Sequence, residues 1–232
     1  MKKQLAIIIA TMLTLVGATT RVEAVDVVSK GTVTTNSMAT VCGNLFNLAS
    51  VNRSWIIRQY SNPHNYSVLV GLDWELSNAT NSEKLALIRT HACASTGVAE
   101  STQSMLLLGY YHVQPIGEYT GGNLILYPTT GIGTADTVVS ATARQTCLDI
   151  LNMTNRAHRN DLIVRSYTGQ ANYTAVVGAT WSGLTSGEKL ATLLALQCYT
   201  SGSTTGKQDM LIQEHLTGKN LGWLINGQLE LY

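Results

Sequence analysis

The sequence predicts an α+β protein, mainly helical, in which one disulfide-stapled domain occurs twice in tandem. Three observations carry that expectation. Cys42 and Cys93 stand 51 positions apart, and so do Cys147 and Cys198. A shift of 105 residues lays the first pair on the second and superimposes further blocks in the same register. Each copy closes on a turn-and-strand pattern, Gly122-x-Leu124-x-Leu126-Tyr127 in the first and Gly227-x-Leu229-x-Leu231-Tyr232 in the second.

The register is long and specific. Thr80-x-x-Glu83-Lys84-Leu85-Ala86 meets Thr185-x-x-Glu188-Lys189-Leu190-Ala191, Gln103-x-Met105-Leu106 meets Gln208-x-Met210-Leu211, and Gly117 meets Gly222. Between the paired cysteines the shift becomes 107. There Ile56-x-Arg58-x-Tyr60 meets Ile163-x-Arg165-x-Tyr167, Asn65-Tyr66 meets Asn172-Tyr173, and Trp74 meets Trp181. An insertion near 155–161 and a deletion after Trp181 account for the excursion. A period this long exceeds that of solenoid repeats and suits a whole small domain.

Four helices and one hairpin are expected in each copy. Val41, Leu45, Leu48, Val51, Trp55 and Ile56 recur at helical spacing, which predicts a helix over 37–60 and its counterpart over 137–164. A second helix is expected over 66–76. The third begins at Thr80-x-x-Glu83 and at Thr185-x-x-Glu188. This is the capping-box signature, in which threonine and glutamate each satisfy a backbone amide at the helix start. A fourth is expected over 102–111 and 207–216. The chain then reads as hairpins. Asn226-Gly227 supplies the positive φ angles of a type I′ turn, and Gly121-Gly122 stands in the same place in the first copy. A lone hairpin is marginal in water, so these are expected to pair with each other, with Val25–Val28, or to pack on helices. The expected organisation is a signal peptide at 1–24, repeat domains at 25–127 and 137–232 packed about a pseudo-twofold, and a linker at 128–136.

Lys2 and Lys3 precede an apolar run from Leu5 to Val16, followed by Val22-Glu23-Ala24. A charged start, a short apolar core and small side chains before the cut describe a secretory signal of bacterial type. The run is shorter than the roughly 20 residues of a membrane span. A periplasmic or secreted chain follows, with no stable membrane insertion once the signal is removed. Without those residues 12 basic and 13 acidic side chains remain. That balance lacks the clustered cations of a nucleic-acid-binding protein. Export to an oxidising compartment makes disulfides the expected state of the cysteines. The duplicated spacing favours Cys42–Cys93 and Cys147–Cys198, since a single ancestral copy could form only that bond. A helix-borne cysteine bonded about fifty residues on resembles small periplasmic helical proteins, acid-stress chaperones and effector-immunity proteins among them. The likeness lies in the scaffold.

No metal, cofactor or catalytic set is expected. None of the five histidines meets a histidine across the repeat, and no aspartate is shared. The pairs His158/Asp161 and Glu214/His215 occur in one copy only and read as solvated groups. The shared Arg58, Tyr60 and Trp74, with Arg165, Tyr167 and Trp181, form the candidate binding set, because Arg, Tyr and Trp dominate interface hot spots. The expected function is an exported, non-enzymatic protein that binds another protein, as inhibitor, immunity factor, chaperone or assembly component. The alternatives are a hydrolase with its site between the copies, and a surface or matrix component.

Overall fold

The capping boxes open helices where the sequence places them. A computed structural model describes residues 31–33, 37–50, 56–62, 65–71, 74, 79–109, 114–128, 136–138, 142–168 and 173–232. Thr80 Oγ1 accepts from the Glu83 amide at 3.2 Å, and Glu83 Oε2 accepts from the Thr80 amide at 3.0 Å. Thr185 and Glu188 repeat the arrangement. Both helices stop at a glycine in the left-handed region, Gly97 (φ 74°) and Gly202 (φ 76°), a conformation that costs glycine no Cβ clash.

In chain order the elements are β1 (Gly31–Val33), α1 (Met38–Ser50), β2 (Ile56–Asn62), β3 (Asn65–Val70), α2 (Asn81–Thr96), β4 (Met105–Gly109), β5 (Pro115–Thr120), β6 (Asn123–Leu126) and β7 (Asp136–Val138). They continue with α3 (Ala143–Ala157), β8 (Ile163–Thr168), β9 (Tyr173–Val177), a short 3-10 helix (Ala179–Gly183), α4 (Ser186–Ser201), β10 (Met210–Glu214), β11 (Asn220–Ile225) and β12 (Gln228–Leu231). Among the described residues each half therefore shows two multi-turn α-helices rather than four, and most of the other elements are strands.

Much of what is described of the segments expected as second and fourth helices is strand, although Trp74 is helical. Residues 65–70 form β3, while 105–109 and 210–214 form β4 and β10. Val68, Leu69 and Val70 are all buried, because β3 lies between β2 and a parallel neighbour, β4. A strand covered on both faces reads as a continuous apolar run, which periodicity cannot tell from a buried helix. The helix expected over 37–60 ends at Ser50, and β2 begins at Ile56. Its counterpart over 137–164 reduces to α3, bounded by β7 and β8. The inserted residues after α3 form a turn in which Arg159 and Asn160 take φ near 60°.

The strands form two six-stranded sheets, β2-β3-β4-β5-β6-β7 and β8-β9-β10-β11-β12-β1. In each sheet one parallel pair (β3 with β4, β9 with β10) is bridged by the crossover helix α2 or α4. Both hairpins are present. Asn226 (φ 51°) and Gly227 (φ 77°) turn the second, and Gly121 and Gly122 turn the first with the same signs. Gly117 and Gly222 occupy equivalent positions in β5 and β11. A Cβ there would lie 2.5 Å from Ile125 O and 2.1 Å from Glu230 O, so the neighbouring strand excludes any side chain.

The hairpins do not pair with each other; they lie in different sheets. Each sheet is completed by the leading strand of the other half. β7, which precedes α3, pairs antiparallel with β6 (Leu124 opposite Val138, Leu126 opposite Asp136), and β1, which precedes α1, flanks β12. The 105-residue offset carries β1 onto β7, so the exchange is reciprocal. Val25–Val28 and the signal segment lie outside the described residues. Residues Thr32–Leu231 form one compact unit with a single apolar core that draws on both halves. Within it α1 packs on α2, α3 and α4, and α3 packs on α4 and α2.

Candidate functional site

The helices of the two halves enclose a cleft of about 650 Å³, open to solvent at one side. Disulfides define its walls. Cys42 of α1 is bonded to Cys93 of α2, and Cys147 of α3 to Cys198 of α4, with Cα separations of 5.8 and 6.0 Å. These are the two bonds expected from the repeat, and both face the cleft. Leu45 and Ile150, equivalent residues of α1 and α3, supply apolar surface, and Met38 stands where α3 carries Ala143. At the mouth lie the hairpin turns, Gly121-Gly122 and Asn226-Gly227, and the loops after α2 and α4. The volume falls within the range of sites that hold small ligands. Its walls are pre-formed, because each helix pair is covalently cross-linked.

Two cationic side chains line the cleft, Arg89 and Lys207. Arg89 of α2 is half-buried; its guanidinium donates to Thr146 Oγ1 of α3 at 3.0 Å and to the Gly122 carbonyl at 2.8 Å. Its place in α4 is taken by Leu194, also a lining residue. Beside it, buried Tyr119 donates its hydroxyl to Ser101 O at 2.7 Å. Burial raises the Tyr119 pKa above its ordinary value of 10.0, and the neighbouring Arg89 opposes the rise. Exposed Glu100 and Lys207 stand at the rim.

Arg89 belongs to a polar seam that locks α2 to α3. Ser82 Oγ donates to Asp149 Oδ2, Gln145 Nε2 donates to Asp149 Oδ1 at 2.8 Å, and Arg156 pairs with Glu83. Asp149 and Glu83 are each 6% exposed. At the matching positions of α1 and α4, Asn44, Gly187, Val41 and Leu194 stand in place of Asp149, Ser82, Thr146 and Arg89. The two crossings of the halves therefore differ in side-chain chemistry.

Of the six residues expected to bind a partner, the two tryptophans have described side chains. Trp74 (2% exposed) and Trp181 (3%) are packed in the core, and Lys84 Nζ sits 5.7 Å over the Trp74 ring. Burial lowers the Lys84 pKa. Arg58 and Tyr60 lie on β2 opposite Leu69 and Ser67, and Arg165 and Tyr167 lie on β8 opposite Val176 and Thr174. Their side chains are outside the described residues. Neither tryptophan lines the cleft.

No family model matches this chain, and no curated protein or solved structure does. The site is read from its own geometry. Arg89 escaped the comparison of polar residues between the copies because that comparison kept only shared ones. The signal lay in the opposite place, where an arginine in one copy meets a leucine in the other. The carboxylates of the single-copy pairs have structural partners. Asp161 accepts from the Ala179 amide at 3.1 Å and so fastens the 3-10 helix, while Glu214, at the end of β10, accepts from the Thr217 hydroxyl. Among the described residues no group of three His, Cys, Asp or Glu side chains is arranged to hold a metal, and no helix is long and apolar enough to cross a membrane.

Proposed function

We propose that this is an exported binding protein of the bacterial envelope, formed by tandem duplication, which engages a partner at the cleft between its halves. The cleft carries the reading: a pre-formed, largely apolar space of about 650 Å³ with a disulfide on each wall. Disulfides of this kind belong to an oxidising compartment, which fits the signal-like N-terminus and cleavage after Ala24. The partner is another protein, which inserts apolar side chains between α1 and α3 as an inhibited, guarded or chaperoned client. The matching order of elements in the two halves and the 105-residue offset support the duplication.

Affinity capture with the mature protein tests this. Wild type is compared with Ile150→Trp, which fills the cleft with a larger apolar side chain. A partner retained by wild type and lost by the variant is the expected result. Equal capture by both, or a protein found only in the cytoplasm with its N-terminus uncut, would overturn the reading.

A further inference from the structure

The polar side chains set into the cleft wall are engaged by the protein itself. Arg89 donates to Thr146 Oγ1, to the Gly122 carbonyl and to the Tyr119 hydroxyl, so its guanidinium is held by protein oxygens. Tyr119, Thr90 and Gln197 are buried lining residues, and each donates to a backbone carbonyl. Their acceptors are Ser101 O at 2.7 Å, Ala86 O at 2.8 Å and Gln208 O at 2.8 Å. Among the described residues the remaining ionisable lining groups are Lys207 and Glu100, opposite in sign and both exposed at the rim. The interior therefore offers a ligand hydrocarbon, from Leu45, Ile150 and Leu194, and no charge in need of a partner.

An ionised group carried into such a space loses its water and finds no partner, whereas apolar surface gains by leaving water. The volume, about 650 Å³, is that of a small-ligand site. Helix pairs cross-linked by disulfides form its walls, so little further ordering is needed when a ligand enters. We infer that the cleft takes an uncharged, apolar small molecule, seated against Leu45, Ile150 and Leu194, and discriminates against an anionic analogue of the same shape. The inference rests on the cleft being the binding site. It adds that such a molecule and a partner's apolar side chains compete for the same space.

Fluorescence titration of residues 25–232 decides it, with two dyes that share one ring skeleton. N-phenylnaphthylamine is neutral, and anilinonaphthalenesulfonate carries one sulfonate on the same rings. The neutral dye should bind saturably at a single site, at least roughly tenfold tighter than the sulfonate, because the added charge has no partner inside the cleft. Ile150→Trp, which fills the space, should abolish binding of the neutral dye. Leu194→Trp, at a partly exposed lining position, serves the same purpose if the first variant fails to fold, as judged by circular dichroism. Equal or tighter binding of the sulfonate by wild type, neutral-dye binding unchanged in a folded tryptophan variant, or no saturable binding of the neutral dye would overturn the inference. The titration needs no protein partner. A negative titration beside successful, Ile150→Trp-sensitive capture therefore defeats this inference alone, whereas capture insensitive to Ile150→Trp defeats the function proposed above.

Discussion

Glu83 and Glu188 hold equivalent caps, yet only one of them also joins the halves. Both carboxylates accept from the amide of the preceding cap threonine, at 3.0 and 2.8 Å. The second oxygen of Glu83 accepts from Arg156 across the boundary between halves. Arg156 is 43% exposed, so water screens the pair. Glu188→Ala should cost about 1 kcal/mol as a lost cap, and Glu83→Ala about 2 kcal/mol. Urea unfolding measures both; equal losses would mean that the ion pair adds nothing. His91 makes a different prediction. Its ring stacks on Phe46 with centroids 5.2 Å apart, Nε2 is buried without a partner, and burial lowers its pKa from the ordinary 6.5. The unfolded chain then takes up the proton first as pH falls. Stability should decline below about pH 6.5, down to the pH at which the folded ring protonates, and be unaffected at higher pH. Replacing His91 with Phe should remove this part of the decline between pH 7.5 and 5.5 in urea titrations, whatever the carboxylates contribute.

Each helix pair depends on its staple. The bonds close loops whose cysteines are 51 positions apart and join α1 to α2 and α3 to α4. The chain-entropy model assigns roughly 4 kcal/mol to such a loop. Replacing Cys147 and Cys198 with Ala should lower Tm by about 10 °C, and the reductant dithiothreitol should shift wild type further, since it opens both bonds. A thermal melt unchanged by reductant would contradict this. At this scale the sequence was legible where chemistry is local. The Thr-x-x-Glu caps, the Asn-Gly turn and the cysteine spacing each depend on neighbouring groups or on the repeat itself. It was not legible for β3, β4 and β10. Asn65–Val70 and Met105–Gly109 become strands because each finds the other as a parallel partner across α2, whose capping box reports the helix but not the pairing.

The halves are tied together by exchange of strands. β1 completes the sheet of the second half and β7 that of the first, so neither half contains its whole sheet. A chain beginning at residue 34 would leave the outer edge of β12 unpaired, and bare edges recruit other chains. Such a chain should unfold at lower urea and self-associate with rising concentration on sedimentation, whereas a chain that keeps β1 should not. Unchanged behaviour would mean that β1 contributes little to the edge.

By itself the sequence determined the two disulfides, the caps and the hairpin turns, because matching residues at one offset meet matching local chemistry. Tertiary structure decided the rest. The helical spacing of Val41, Leu45 and Leu48 marked an apolar face without saying that α1 would turn it toward α3. The pairing of Arg89 with Thr146, 57 positions away, exists only once α2 crosses α3. That crossing breaks the equivalence of the two copies. It puts arginine on one wall of a shared cleft and leucine on the other, and a difference between equivalent positions acquires chemical meaning only when the two positions face one space.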